Sequence, residues 1–140
     1  MDGSVAQSAP IRFLPHPISH IRSVKLVECV PNFSEGTDKA VVDAIKSAIA
    51  SIEGVAVLDV SSDASHNRTV FTFVTPVDKA VDAALAGMRV AADRIDLTKH
   101  QGEHPRIGAT DVVPFIPLEG ATMEDCVLLA QALGARAAQE

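Results

Sequence analysis

The sequence contains no tryptophan and no tyrosine, and five phenylalanines (Phe13, Phe33, Phe71, Phe73, Phe115) make up its whole aromatic content. A platform for stacking single-stranded bases is therefore unsupported. Positive charge is also scarce: 12 Lys and Arg stand against 18 Asp and Glu, a formal net charge of −6. That balance excludes a broad phosphate-binding surface, although a small basic pocket can persist inside an acidic protein. No nucleic-acid partner is expected. No apolar run approaches the roughly 18 residues of a membrane span, and no membrane partner is expected either. There is no phosphate-cradling glycine signature and no Gly-x-Ser-x-Gly elbow, so nucleotide binding and serine hydrolysis lack support. The only cysteines, Cys29 and Cys126, form no CxxC pair and each lies in an apolar stretch. They read as buried free thiols, compatible with a reducing, cytoplasmic compartment.

What is present organises itself after the first 23 residues. Residues 1–23 contain Pro10, Pro15, Pro17, Arg12, Arg22, His16, His20 and one acid, Asp2, with no continuous signal-peptide core. They read as a disordered extension, an organelle transit peptide being the alternative, ahead of one domain over 24–140. Lys25 to Val30 predicts a strand ended by Pro31. Thr37 or Asp38 caps a helix whose apolar face is Val41, Val42, Ile45, Ile49 and Ile52, closed by Gly54. Val55 to Val60 and Thr69 to Thr75 predict two more strands, joined by a polar link from Ser61 to Arg68. Pro76 suits the first turn of a second helix carrying Val77, Val81, Ala84, Leu85, Met88, Ala92 and Ile95. A fourth strand is expected around Asp111 to Ile116. Thr122 and Asp125 resemble a capping box for a last helix ending near Ala138. The order β-α-β-β-α-β-α fits an α+β, ferredoxin-like split βαβ fold, an antiparallel sheet with two helices on one face. The last helix has no evident partner.

The stretch from Lys99 to Asp111 concentrates the chemistry. His104 and Arg106 flank Pro105, and Gly102 and Gly108 bracket them, which reads as a stiffened loop presenting two functional side chains. A neutral imidazole near pH 7 can accept and return a proton, making His104 the candidate acid/base. Glu103 and Asp111 are both near enough in sequence to orient it. Arg106 can hold a carboxylate with two hydrogen bonds, or pair at the surface with Glu103 or Asp111. His66-Asn67-Arg68 is a second polar cluster, in which Asn67 also suits a left-handed turn. Pro31-Asn32-Phe33-Ser34 is a third. His100 and His104 stand four apart, as metal ligands on one helix face would, but Gly102 and Pro105 oppose a helix there, and no metal is expected.

Taken together, these motifs resemble the N-terminal subdomain of the glutamate formiminotransferase family, which occurs alone or fused in formiminotransferase-cyclodeaminase. The matching pieces are Leu26-Val-Glu-Cys-Val-Pro-Asn-Phe-Ser-Glu-Gly36, Leu58-Asp-Val60, Asn67-Arg-Thr-Val70, Gly102-Glu-His-Pro-Arg106 with Gly108-Ala-Thr-Asp111, Pro114-Phe-Ile-Pro117 and Thr122-Met-Glu-Asp-Cys126. The similarity covers Lys25 to Gly134. It implies transfer of a formimino group from N-formimino-L-glutamate to N5 of tetrahydrofolate, the co-substrate, with His104 as acid/base. In that scheme Arg106, Arg68 and Asn67 become carboxylate or pterin contacts, with Glu103, Asp111 and Asn32 as further substrate-binding residues. The implied partners are a reduced folate and formiminoglutamate, with a homo-oligomer or a complementing subdomain completing the site.

Two departures temper that implication. Family members usually carry an acid directly after the Leu-Asp-Val strand, where this sequence has Ser61, with Asp63 nearby. The family's transferase also has further sequence after the last helix, including a folate-binding loop and a second subdomain. Three readings therefore compete: a transferase or piece of one, a non-catalytic folate-binding or interaction module, and a truncated inactive fragment.

Overall fold

Alternation along one long strand sets the architecture. Within Arg68–Pro76, Thr69, Phe71, Phe73 and Thr75 are fully buried while the residues between them are only partly covered. Such a period of two directs every second side chain to one packed face. The computed structural model describes residues 2–4, 6, 8–10, 23–103 and 107–140. In chain order the strands are β1 (Leu26–Cys29), β2 (Asn32–Phe33), β3 (Ala56–Asp63), β4 (Arg68–Pro76), β5 (Thr110–Val112) and β6 (Phe115–Pro117). The helices are α1 (Lys39–Ala50), α2 (Ala80–Arg94) and α3 (Met123–Ala137).

Strand β4 is central. It pairs antiparallel with β3, from Ala56 opposite Val74 to Asp63 opposite Arg68, with an irregularity between Val57 and Asp59. Its other edge takes β1 and β2 in tandem, and these in turn pair with β6 and β5. The expected first strand is β1, but pairing resumes past Pro31 in β2, and the expected fourth strand is divided into β5 and β6. Proline has no N–H to continue a ladder, and Pro31 and Pro114 mark the two breaks. The breaks lie side by side, Val30 N donating to Pro114 O at 3.2 Å, and β4 stays attached at the first of them, Phe71 N donating to Pro31 O at 3.0 Å. Counting each divided strand once, the order is fourth, first, third, second, the split βαβ arrangement.

Three local expectations are corrected. The second strand runs on to Asp63 and the third begins at Arg68, so the polar link shortens to residues 64–67. Ser61 and Ser62 are polar but pair in register with Val70 and Thr69, which an edge strand with one wet face tolerates. Asn67 takes φ +49°, the left-handed conformation that closes this hairpin. Pro76 ends β4 instead of entering the helix, and a 3-10 turn over Val77–Lys79 leads into α2. The last helix does have a partner. Cys126 and Leu129 pack with Val27 and Ala80, Leu133 packs with Ala84 and Leu85, and Arg136 donates to Asp82 at 2.6 Å. Its capping box is formed as expected, Thr122 N donating to Asp125 and Asp125 N to Thr122 Oγ1.

The core lies between the sheet and α1 and α2. Val41, Val42, Ile45 and Ile49 of α1 meet Phe33, Phe71 and Phe73, and Phe33 and Phe71 pack edge to face at 5.4 Å and 87°. Each buried phenylalanine contributes about 1.5–3 kcal/mol relative to exposure. Asp38 caps α1, accepting from Ala40 N at 3.0 Å. Both cysteines are buried and free, and burial pushes each thiol up. Among the described residues no helix is long and apolar enough to cross a membrane.

Candidate functional site

The site grows from the turn that follows Phe33. Phe33 is anchored in the core, and the next two residues, Ser34 and Glu35, remain buried although polar. Buried polar groups need partners, and these two find theirs on the ends of the loop singled out in the sequence. Ser34 N donates to Ala109 O at 2.9 Å, and Ser34 Oγ donates to Gly108 O at 2.8 Å with Asp111 Oδ2 at 3.2 Å. Asp111 Oδ1 accepts from Ile107 N at 3.3 Å and Gly108 N at 3.2 Å. The far shoulder of the loop is thereby tied to the turn.

The near shoulder is tied through Glu35, Gly36 and the β3–β4 hairpin. Glu35 Oε1 accepts from Thr37 N and Asp38 N at 2.8 Å each and from Thr37 Oγ1 at 3.1 Å. Its other oxygen lies 3.2 Å from His100 Nε2. Gly36 N donates to Asn67 Oδ1 at 2.8 Å, and Asn67 Nδ2 lies 2.9 Å from His100 Nδ1 and 3.3 Å from Gln101 O. Thr69 Oγ1 donates to Glu35 O, and Glu103 N donates to Ser65 O at 3.2 Å. Burial alone raises the Glu35 carboxyl, but hydrogen bonds from Asp38 and Thr37, with His100 facing it, hold it below the usual carboxylate range.

His104 and Arg106 lie outside the described residues. Of the other expected site residues, Asn67 and Asp111 are brought together in the frame of this loop. Glu103 is exposed at its rim, its carboxylate 3.9 Å from His66 Nε2. Arg68 begins β4 opposite Asp63, and its Nε is buried with no hydrogen-bond partner among the described residues. Asn32 stands apart: its amide turns back to Val30 O at 3.1 Å, and it pairs in register with Val70 and Val112. Ser61 is solvent-exposed on β3. Asp63 does not take over from it. The Asp63 carboxylate caps the hairpin, accepting from Ser65 N and His66 N and meeting His66 Nδ1 at 2.7 Å, and the His66 hydrogen bond holds it below its usual range. Among the described residues no three His, Cys, Asp or Glu side chains converge as metal ligands would.

Ser34 was legible in the sequence only as part of a polar cluster closing the first strand, Glu35 was not singled out, and His100 was weighed only as a metal ligand. The available signal was a Ser-Glu-Gly run directly after an apolar strand, where buried polar side chains are unusual unless they bind something. Chemically, the arrangement is a rigid frame that fixes both ends of a histidine-bearing loop beside an arginine whose Nε has no partner among the described residues.

Comparison with known proteins places this geometry in context. The family model described as "Formiminotransferase domain, N-terminal subdomain" matches residues 26–140. A glutamate formimidoyltransferase from Thermoplasma acidophilum is 56% identical over 117 residues, covering 84% of this chain and 39% of that protein. Formimidoyltransferase-cyclodeaminase from Mus musculus is 54% identical over 116 residues, covering 83% of this chain and 21% of that protein. A glutamate formimidoyltransferase from Streptococcus pyogenes is 49% identical over 116 residues, 83% of this chain and 39% of that protein. The chain thus spans about two fifths of the single-activity relatives and about one fifth of the cyclodeaminase relative.

Proposed function

Since this chain belongs to the formiminotransferase-domain family, as its N-terminal subdomain, we propose that it provides the histidine half of a folate-dependent formiminotransferase site. The substrates are N-formimino-L-glutamate and tetrahydrofolate. N5 of the folate attacks the formimino carbon, and His104 takes the proton that N5 releases as the new C–N bond forms. His104 then returns a proton to the glutamate nitrogen as the old C–N bond breaks, so one group carries the proton between two nitrogens. Arg68 and Arg106 meet substrate carboxylates, and the frame fixes the two shoulders of the loop whose sequence bears His104, since positioning contributes much of the rate. Asn67, Glu103 and Asp111 act around that loop, while Asn32, which stands apart in the sheet, takes no direct part. Residues beyond this stretch of the relatives, or a complementing chain, close the other side of the site and exclude water.

The observation that carries the reading is the double tie of the loop's shoulders, directly to Ser34 and Glu35 and through Asn67 to Gly36. A surface loop without a task needs no buried carboxylate beneath it. The buried Nε of Arg68, without a hydrogen-bond partner among the described residues, adds a donor suited to an anion. The test is glutamate release from formiminoglutamate with reduced folate present, using the chain alone and mixed with the remaining portion of a related transferase. Turnover that disappears in His104→Ala is expected in the mixture. If no mixture exceeds the His104→Ala control, the transferase reading fails, and calorimetric binding of reduced folate without turnover would then assign the chain to a binding module.

A further inference from the structure

We propose that His100 is a positioning residue for the loop that carries His104, held as the neutral Nε2–H tautomer between Glu35 and Asn67. Donor and acceptor order fixes the tautomer. Gly36 N–H is a donor that cannot be reversed, so the Asn67 atom 2.8 Å away is its oxygen. The Asn67 nitrogen therefore faces His100 Nδ1 at 2.9 Å and Gln101 O at 3.3 Å, and it donates to both. His100 Nδ1 must accept, which leaves the ring proton on Nε2, where Glu35 Oε2 waits at 3.2 Å. The other Glu35 oxygen is already committed to three donors.

The competing arrangement is an imidazolium–carboxylate ion pair. It would set an Nδ1–H against the Asn67 NH2, or turn that amide and set its NH2 against Gly36 N–H. Either choice leaves two donors facing each other. Water cannot readily relieve the conflict, because the side chains of His100 and Glu35 are only 15% and 4% exposed. Hydrogen-bond polarity, and not shape alone, thus sets where residues 100 to 103 begin the loop. This role extends the transferase reading, on which only its kinetic consequence rests.

The tautomer is read from long-range 1H–15N correlation spectra of the 15N-labelled full chain. An unprotonated Nδ1 with a protonated Nε2 on His100 at neutral pH is expected. A protonated Nδ1, alone or as imidazolium, overturns the proposal. Two substitutions separate polarity from shape. In Glu35→Gln the three committed donors hold the amide oxygen, so the new NH2 faces the His100 Nε2–H, and an isosteric change breaks the latch. In His100→Gln the side chain can accept from Asn67 and donate to Glu35, which preserves the polarity. The Glu103 amide, bonded to Ser65 O, should lose exchange protection in Glu35→Gln and His100→Ala and keep it in His100→Gln. Where transfer is measurable, Glu35→Gln should lower kcat on the order of a hundredfold, the scale of a misplaced reacting group, and His100→Gln should recover most of the His100→Ala loss. Equal protection in Glu35→Gln and the parent chain overturns the proposal. A parent chain inactive in every mixture refutes the transferase reading instead, while the spectra still decide the tautomer.

Discussion

Replacing Gly36 with alanine puts a methyl group where the hairpin already stands. A Cβ at Gly36 would lie 2.5 Å from Asp63 O, 2.6 Å from Arg68 N and 2.9 Å from Arg68 O. All three atoms are backbone at the base of the β3–β4 hairpin, with no flexible side-chain end to give way. Its φ is outside the left-handed region, so the glycine is needed for space and not for backbone freedom. On conformational entropy alone, Gly→Ala should stabilise by about 0.4–1 kcal/mol, and the prediction therefore turns on sign. Overpacking costs about 1–3 kcal/mol. Separation of Gly36 N from Asn67 Oδ1 adds about 1 kcal/mol, and more if the N–H stays buried. Set against the entropic gain, these costs predict a net destabilisation of about 1–3.5 kcal/mol. At roughly 4 °C per kcal/mol for a domain of this size, the midpoint should fall by roughly 4–14 °C. Urea titration and thermal melting by circular dichroism measure both. A Gly36→Ala chain within about 0.5 kcal/mol of the parent, or above it, would refute the close seating of turn on hairpin.

Gly134 offers the opposite case. It lies inside α3 with nothing within 4 Å of the place a methyl group would take, so Gly134→Ala should raise stability by about 1 kcal/mol, and a loss in the same titration would count against the exposed helical setting. Acid should also weaken the fold. The carboxyls of Glu35, Asp63, Asp82, Asp96, Asp125 and Glu140 are all held below their ordinary values of 4.5 for Glu and 3.8 for Asp. A depressed carboxyl stabilises the folded state above its unfolded value, and that contribution drains away as pH falls through the lower folded value. Stability should hold above about pH 5 and decline steadily below about pH 4. Exposed pairs add little, so buried Glu35 should dominate and Glu35→Gln should flatten the acid limb. An unchanged limb in that variant would show that the other carboxyls carry it.

Much of the fold was legible because it depends on local pattern. Phe71 and Phe73 alternate with partly covered residues, Val41, Val42, Ile45 and Ile49 fall on one helical face, and Thr122 with Asp125 announces a cap. The two strand breaks were not legible. Pro31 reads as the end of the first strand and Pro114 as an interior position of the fourth, and only their adjacency across the sheet shows that the pairing breaks at both and resumes beyond them. The same division runs through the site. The histidine loop declares itself by composition, and Asn67 declares its turn. Glu35 and His100 are ordinary residues until the fold sets them 3.2 Å apart, and their joint meaning is tertiary. The expected partnerless helix failed for a related reason: that Ala84 and Leu85 of α2 receive Leu133 is a tertiary fact that helical spacing does not carry.

The ties that bind the loop to the body span long stretches of chain. Ser34 reaches residues 74 and 77 positions away, Gly36 reaches Asn67 across 31, and Asn67 reaches His100 across 33. Closing such loops costs entropy that nearby contacts do not repay, so the frame assembles only after the sheet has brought its strands together. Hairpin opening and release of the loop then become one event with one free energy. Any ligand gripped by the loop draws on that event, and by linkage it must slow amide exchange in the hairpin as much as the hairpin's integrity strengthens its own binding.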